Sequence, residues 1–359
     1  MGFTDWLKVK LVTRFFQPLL NLRTLPVSWR RLSGFRDASL SADRCHCTVT
    51  FANGVIQIEA LTARILKIVT HFSSVKTKEG YDGSEFSYAV PPLPRLPLRC
   101  SRGNGRVSLA PETDEKTHLM VTIDTERLTL SVHETGGVMN LGSSVAAGTG
   151  NWVRSVTRIP GRPLFLGLGQ KTGGLFKNGR RYVMWNTDNS DIKKYSDPLY
   201  QSCPLMIVLD EAGNAHGHFF DNSHYAVFNL AASGGHALEY TAERGPLVRY
   251  VLGGPDLENV CRQFTFLTGR YSLPPLWALG HHHSRWERNE SAARILQVAK
   301  EFRTRRIPCD ALHIDIAYLR GFRCFTWDRT RFPDPDAFLS ELYRRRFQPV
   351  VITDPALKK

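Results

Sequence analysis

Between residues 45 and 250, apolar and polar residues alternate in short runs, the period-2 signature of half-buried strands. Cys47–Phe51 and Val55–Ala60 are joined by Ala52-Asn53-Gly54. Asn-Gly accepts the positive φ of a tight turn, so this pair is predicted as a hairpin. Ile65–Thr70, Leu119–Ile123 and Leu128–Val132 continue the series. Pro204–Leu209 and Ala215–Phe220 read as a second hairpin across Glu211-Ala212-Gly213-Asn214. Residues 71–118, with Pro91, Pro92, Pro94 and Pro97, are expected to be a long extended connection. Many short strands with turn residues between them predict an antiparallel β-sandwich.

Near residue 255 the period changes. Pro255-Asp256 is predicted to start a helix that runs through Leu267, with Gly269 placed to end it. Leu273-Pro274-Pro275 forms a stiff boundary. Strand Leu276–His281 is expected next, then a helix from Asn289 to about Arg305 with Ala292, Ile295, Ala299 and Phe302 on one face. Strand Ala311–Asp315, a helix through Phe338 and Leu342, and strand Pro349–Thr353 follow. Strand, helix, strand, helix, strand at this spacing is a parallel βα series. An eight-unit barrel takes roughly 250 residues, whereas Pro274 to Lys359 is 86. The expected architecture is therefore α+β and multidomain: an antiparallel β-sandwich followed by a truncated (β/α)8 barrel of about three units. The expected segments are an extension over 1–44, the sandwich over 45–254, a connecting helix and linker over 255–273, and the barrel start over 274–359.

Composition agrees with a folded chain. The 359 residues are 42% apolar and 22% charged, which argues against disorder and coiled coil. No apolar run approaches the roughly 20 residues of a membrane span. Lys8, Lys10 and Arg14 break up the first 20 positions, so no signal peptide is read there. Phe3, Trp6, Leu7, Leu11 and Phe15 among basic residues would suit an amphipathic helix, expected to pack on the body of the protein rather than on a membrane. Seven cysteines, odd in number and scattered, do not form a disulfide framework, and a reducing, cytoplasmic setting is expected. The formal charge of +14 raises the question of a nucleic-acid partner. The basic residues are dispersed, however. Their two dense clusters, Arg303–Arg305–Arg306 and Arg344–Arg345–Arg346, sit at predicted helix ends where cations complement the dipole and face water. No nucleic-acid partner is expected.

In parallel sheets the working residues gather at the carboxyl ends of strands. Three such ends are predicted: His281–Trp286, Asp315-Ile316 and Asp354-Pro355. Asp directly after an apolar strand occurs twice, in Leu312-His313-Ile314-Asp315 and in Val351-Ile352-Thr353-Asp354, which favours a polar ligand over two unrelated helix caps. His281-His282-His283 invites a metal reading. On a strand only 281 and 283 share a face, and no second cluster completes a ligand set. Cys45-His46-Cys47 lacks a partner pair, and Gly167-Leu168-Gly169 lacks the third glycine of a dinucleotide turn. No metal and no cofactor are expected.

Several motifs occur in an order that resembles glycoside hydrolase family 31, the α-glucosidases and their relatives. Phe165–Gly169, Tyr182–Asp188 and Asp197–Pro204 match the N-terminal domain of that family. Leu273–Gly280, Ser284-Arg285-Trp286, Ile307–Asp310, His313–Ile316, Phe325–Asp328, Arg331–Pro335 and Asp354-Pro355 match the start of its barrel. The resemblance implies retaining hydrolysis of α-linked glucosides, with a loop of the sandwich reaching over the barrel mouth. It places Asp188 on that loop as a binder of the terminal sugar. Asp315 takes the place of the carboxylate after the second strand, and Ile316 that of an apolar wall. Trp286 stands for an aromatic lining the pocket, while Ile352 and Asp354 take positions after the third strand. Carboxylates accept hydrogen bonds from vicinal hydroxyls and an aromatic face packs on a pyranose ring, so the residue types suit these roles. In the family the nucleophile and the acid/base lie on later strands, beyond Lys359. The implied catalytic residues within the chain are therefore none, and the chain alone is expected to be inactive. The alternative is a non-catalytic carbohydrate-binding or partner-docking fragment, with an oligosaccharide or a complementary C-terminal fragment as partner. Ala317 stands where the family has a second Asp, and His281 and His283 where it more often has Tyr and Gln.

Overall fold

The computed structural model describes residues 28–75, 87–137, 139–189, 191–287 and 289–353. The amphipathic segment expected in the first 22 residues lies outside them, as does Asp354. The chain divides into two units, Met1–Arg270 and Tyr271–Lys359.

The strands of the first unit begin with β1 Trp29–Arg31, β2 Phe35–Leu40, β3 His46–Phe51, β4 Gly54–Thr62 and β5 Ile65–Phe72. They continue with β6 Leu98–Gly103, β7 Arg106–Pro111, β8 Leu119–Asp124, β9 Thr129–Glu134 and β10 Asn140–Gly148. Next come β11 Val153–Arg158, β12 Leu164–Gly167, β13 Arg181–Met184 and β14 Leu205–Leu209. The last four are β15 Ala215–Phe220, β16 Ala226–Asn229, β17 Ala237–Ala242 and β18 Leu247–Leu252. All pair antiparallel in two large sheets. One runs β13-β16-β17-β11-β10-β9-β8-β7-β6 with β1 on β10; the other runs β12-β14-β15-β18-β5-β4-β3-β2. A shared core fills the space between them, with Ile58, Ile68, Phe220 and Val251 from one sheet and Val121, Val132, Phe228 and Tyr240 from the other. The outer face of β15 and β18 is covered by helix α1, Leu257–Thr268, through Val260 and Leu267. Asp256 caps α1 by accepting from the Asn259 N–H at 2.8 Å. Gly217 is where α1 comes closest, because a Cβ there would lie 2.8 Å from Val260.

Both hairpins expected from turn chemistry are present, β3–β4 and β14–β15. The extended connection expected over 71–118 is corrected in part. Leu98–Gly103 and Arg106–Pro111 form a hairpin that ends the ten-stranded sheet. The signal missed there is Asn104 and Gly105, both at positive φ in the turn. The boundary placed at residues 44/45 falls inside a sheet, since β2 pairs with β3.

A polar cluster lies in the core between the sheets. Arg249, 3% exposed, donates to the hydroxyls of Ser143 and Thr157, both at 2.9 Å. His218, fully buried on β15, has neither ring nitrogen paired among the described residues, and its ring lies 5.2 Å from that of His216. Burial holds the His216 imidazole down to about 4, and burial together with the neighbouring His216 and Arg249 holds His218 well below the usual range.

In the second unit a 3-10 turn, Leu276–Leu279, precedes β19, His282–Ser284. The strand expected over 276–281 is thus displaced toward the carboxyl side. The cause is Pro274-Pro275, whose rings favour the turn and supply no N–H to a ladder. Helix α2 Ala292–Thr304, β20 Ala311–Ile314, helix α3 Pro335–Arg344 and β21 Gln348–Val351 follow. The strands pair in parallel in the order β19-β20-β21. Their core joins Ile295 and Ala299 of α2, Phe338 and Leu342 of α3, and Leu312 and Ile314 of β20.

The two arginine clusters are not simply solvated, which corrects the charge reading. Arg303 donates to the carbonyls of Arg345 (2.9 Å), Cys309 (3.0 Å) and Arg346 (2.9 Å), and its guanidinium lies 3.6 Å from the Phe347 ring centroid. One fork thus ties the end of α2 to the loop before β21. Lys has no planar fork to reproduce it.

Two predictions follow from these clusters. Both buried imidazoles stay neutral in the fold but protonate near 6.5 once unfolded. The stability they hold is present above that pH and lost as pH falls toward 4. The melting temperature should drop by about 3–8 °C between pH 7 and pH 5, and His218→Leu should flatten the slope; an unchanged slope would refute the assignment. Arg303→Lys should cost on the order of 2 kcal/mol by leaving carbonyls unpaired, measured by urea denaturation followed through tryptophan fluorescence.

Candidate functional site

Parallel pairing aligns the strand ends of the second unit. His283 sits opposite Leu312 and Leu312 opposite Pro349, so Ser284, Ile314 and Val351 finish at one end of the sheet. The Ile352 N–H extends the ladder by donating to the Ile314 carbonyl at 3.0 Å. Four predicted residues therefore share this end: Trp286, Asp315, Ile316 and Ile352.

Asp315 is half-buried and caps the 3-10 turn Ile316–Tyr318, accepting from the Ile316 N–H at 2.7 Å. Behind the turn, Tyr318 packs on Trp327 with ring centroids 4.7 Å apart, and Trp327 on Phe332 at 5.5 Å. The Asp328 N–H donates to the Tyr318 carbonyl at 2.8 Å. Trp327 and Asp328 thus brace the turn that Asp315 caps. Trp286 is 58% exposed, which leaves an aromatic surface free to receive an apolar face. Ala317 is buried.

The histidine run is divided between two faces of the sheet. His281 and His283 both contact Phe302, with ring centroids 6.0 and 5.2 Å away, while His282 turns to the other face. There His282 Nδ1 is 3.1 Å from His313 Nε2 and its ring stacks on Trp277 at 5.8 Å. Among the described residues no three His, Cys, Asp or Glu side chains gather as a ligand set.

Asp188 belongs to the first unit, on the segment that leaves β13. The root of this segment is clamped by a buried pair. Lys171 Nζ lies 2.5 Å from Asp197 Oδ1 and 2.5 Å from the Val183 carbonyl, and Asp197 Oδ2 accepts from the Val183 N–H at 2.6 Å. Burial pulls the Lys171 ammonium down from its usual value and Asp197 opposes that pull. Farther out, the Thr187 N–H donates to the Leu199 carbonyl at 2.9 Å. The Tyr200 hydroxyl donates to Asp188 Oδ1 at 2.7 Å, leaving the other carboxylate oxygen of this exposed residue free of that bond.

Sequence reasoning missed Glu290. It sits just before the N-cap Ser291 of α2, is 6% exposed, and its Oε2 has no hydrogen-bond partner among the described residues. Burial first, then the charge of Asp315, push its carboxyl up to about 7, against a hydrogen bond from the Asp315 main chain. Nothing in the local sequence marks a buried carboxyl there; the cavity it lines includes Leu312 and His313 of β20. Tyr200 was read only as part of a motif.

A carboxylate and an exposed aromatic thus stand at the carboxyl ends of a parallel sheet, in a chain that also carries a two-sheet β-domain. Two family models match accordingly: the glycosyl hydrolase 31 N-terminal galactose mutarotase-like domain over residues 55–229, and the glycosyl hydrolases family 31 TIM-barrel domain over residues 271–359. The chain belongs to glycoside hydrolase family 31 and comprises its N-terminal region and the start of its catalytic domain. It is 40% identical over 196 residues to alpha-glucosidase 2 of Bacillus thermoamyloliquefaciens, an alignment covering 54% of this chain and 24% of that protein. It is 32% identical over 206 residues to human neutral alpha-glucosidase AB, covering 51% of this chain and 21% of that one. A Flavobacterium johnsoniae GH31 dextranase solved with isomaltotriose shares the fold with a TM-score of 0.78 at 23% identity, over 91% of this chain and 39% of the other. The alignments with the two relatives span 24% and 21% of their lengths.

The clamp yields a prediction. Lys171→Met should leave the Asp197 carboxylate buried without its cation and cost about 3 kcal/mol or more. It should also make the segment between residues 184 and 199 newly sensitive to limited proteolysis. A cleavage pattern identical to the wild type would show that the pair does not hold the segment.

Proposed function

We propose that the chain is the N-terminal portion of a retaining α-glucosidase-type glycoside hydrolase of carbohydrate metabolism. In this reading the two-sheet domain is followed by the first three βα units of a (β/α)8 barrel. The observation that carries it is the convergence of Trp286, Asp315, Ile316 and Ile352 at one end of three parallel strands. Asp315 accepts hydrogen bonds from sugar hydroxyls, Trp286 packs on a pyranose face, and Ile316 and Ile352 form apolar wall. The resemblance adds Asp188, partnered by Tyr200, and Asp354, which lies outside the described residues, as further binding residues. Retention requires a nucleophile and an acid/base roughly 5 to 5.5 Å apart. Asp315 is assigned to binding, so turnover depends on carboxyl groups supplied from elsewhere. No metal or cofactor has a part in this reading. The odd set of seven free thiols favours a reducing, cytoplasmic compartment.

A second reading, a carbohydrate-binding or docking fragment, draws on the flanks of the three-stranded sheet. β19 and β21 are its outer strands, and Leu273, Leu276 and Phe325 are 88%, 85% and 93% exposed. Unpaired edges and apolar surface of this kind favour association with a complementary fragment.

The purified chain should give no turnover of p-nitrophenyl α-glucoside, and substantial hydrolysis would overturn the assignment of Asp315 and Asp188 as binders alone. Maltose should bind. Asp315→Ala should weaken binding about tenfold or more, the scale of one charge-assisted hydrogen bond. Equal affinity in that variant would remove Asp315 from the site.

A further inference from the structure

The loop between β19 and α2, which carries Trp286, is tied to the helix by charge. Glu287 bridges two arginines: its Oε1 lies 2.9 Å from Arg285 Nε and its Oε2 3.5 Å from Arg294 Nε. The Glu287 side chain is 26% exposed, so the bridge is partly sheltered from water and salt. Arg294 is a firm anchor. It belongs to the first turn of α2, where its N–H donates to the Ser291 hydroxyl at 3.3 Å. That turn holds no acidic residue of its own, and the helix dipole opposes a cation there. Glu287 supplies the negative charge from outside the helix, while its carbonyl accepts from the Glu290 N–H at 3.2 Å.

The bridge also shows which way the loop faces. His283, Arg285, Glu287 and Arg294 line one cavity of about 230 Å³ with Val298 of α2, and Trp286 does not line it. An ion pair between residues i and i+2 is the pattern of an extended chain, whose alternate side chains share a side. Arg285 and Glu287 therefore face α2, and Trp286 between them takes the opposite side, the one to which His282 turns. Asp315 emerges on that side too, because Leu312 and Ile314 of β20 are packed into the core with the helices. The last registered pair is Ser284 opposite His313, and two residues beyond each stand Trp286 and Asp315.

We propose that Glu287 is a positioning residue for Trp286: by bridging Arg285 and Arg294 it ties the loop to α2 and holds the indole on the side of the sheet where Asp315 emerges. The inference rests on the reading of Trp286 as the surface on which a pyranose packs, and adds a residue that acts through it. Without the bridge the loop keeps its main-chain turn but loses the tie that fixes the indole. A sugar must then order the ring as it binds, and affinity falls by that cost.

The test follows the Trp286 indole N–H in the full chain, its resonance assigned by its loss in Trp286→Phe. Glu287→Gln keeps the size of the side chain and removes its charge, and Arg294→Gln breaks the bridge from the helix. Both should lower the heteronuclear NOE of the Trp286 indole, which reports ring mobility, and leave that of Trp152 in the first unit unchanged. Maltose affinity should fall about threefold to fivefold in each variant, the scale of a partly exposed ion pair. In the double variant the two losses should not add, since they remove one bridge. A Trp286 indole as rigid in both variants as in the wild type would overturn the proposal, as would losses that add in full. If the wild type binds no maltose, the sugar reading fails, and the indole NOE alone then decides whether Glu287 positions Trp286.

Discussion

The parallel ladder through β20 is the constraint on which the candidate site depends. Antiparallel neighbours would send alternate strand ends to opposite edges of the sheet, and Trp286, Asp315 and Ile352 would never meet. Parallel pairing needs a crossover at each step, and α2 and α3 supply the two crossovers. Arg303 then locks the second against the first by gathering three carbonyls into one guanidinium. Shifting β20 by one residue would turn Asp315 toward the other face and expose Leu312 and Ile314. The buried apolar pair and the functional carboxylate are thus held by the same register.

Much of this was legible because local chemistry and tertiary demand agree. Asn53-Gly54 and Gly213-Asn214 sit where hairpins turn, and Asp256, Ser291 and Asp334 cap the helices they precede. Alternation on β3 and β8 matches their burial pattern residue by residue. Reading failed where two signals competed. Leu276–His281 has a strand's composition, but the paired prolines before it hold the chain in a turn. Leu98–Gly103 ends in three exposed residues because it edges a sheet, so its pattern is weak although its pairing is regular. The arginines at 303 and 345 look like a solvated face in one dimension, since only the third dimension shows the carbonyls they reach.

For the site, legibility followed the motifs. Asp315, Ile316 and Trp286 lie at strand ends that the pattern predicts, whereas Ile352 falls inside the predicted strand Pro349–Thr353 and came from resemblance. Asp188 came from resemblance, since an exposed Asp in a loop carries no signal of its own. Glu290 was invisible: the cavity it lines draws Leu312 and His313 from β20, a strand farther along the chain. Buried polar groups are costly unless satisfied. The sandwich keeps its own such group in Arg249 and His218, far from any strand end.

The clasp formed by Lys171, Asp197 and the main chain at Val183 closes residues 185–196 into a noose, none of whose described residues belongs to either sheet. Residues inserted into the bight or removed from it would leave its neck, and the strands that anchor the neck, in place.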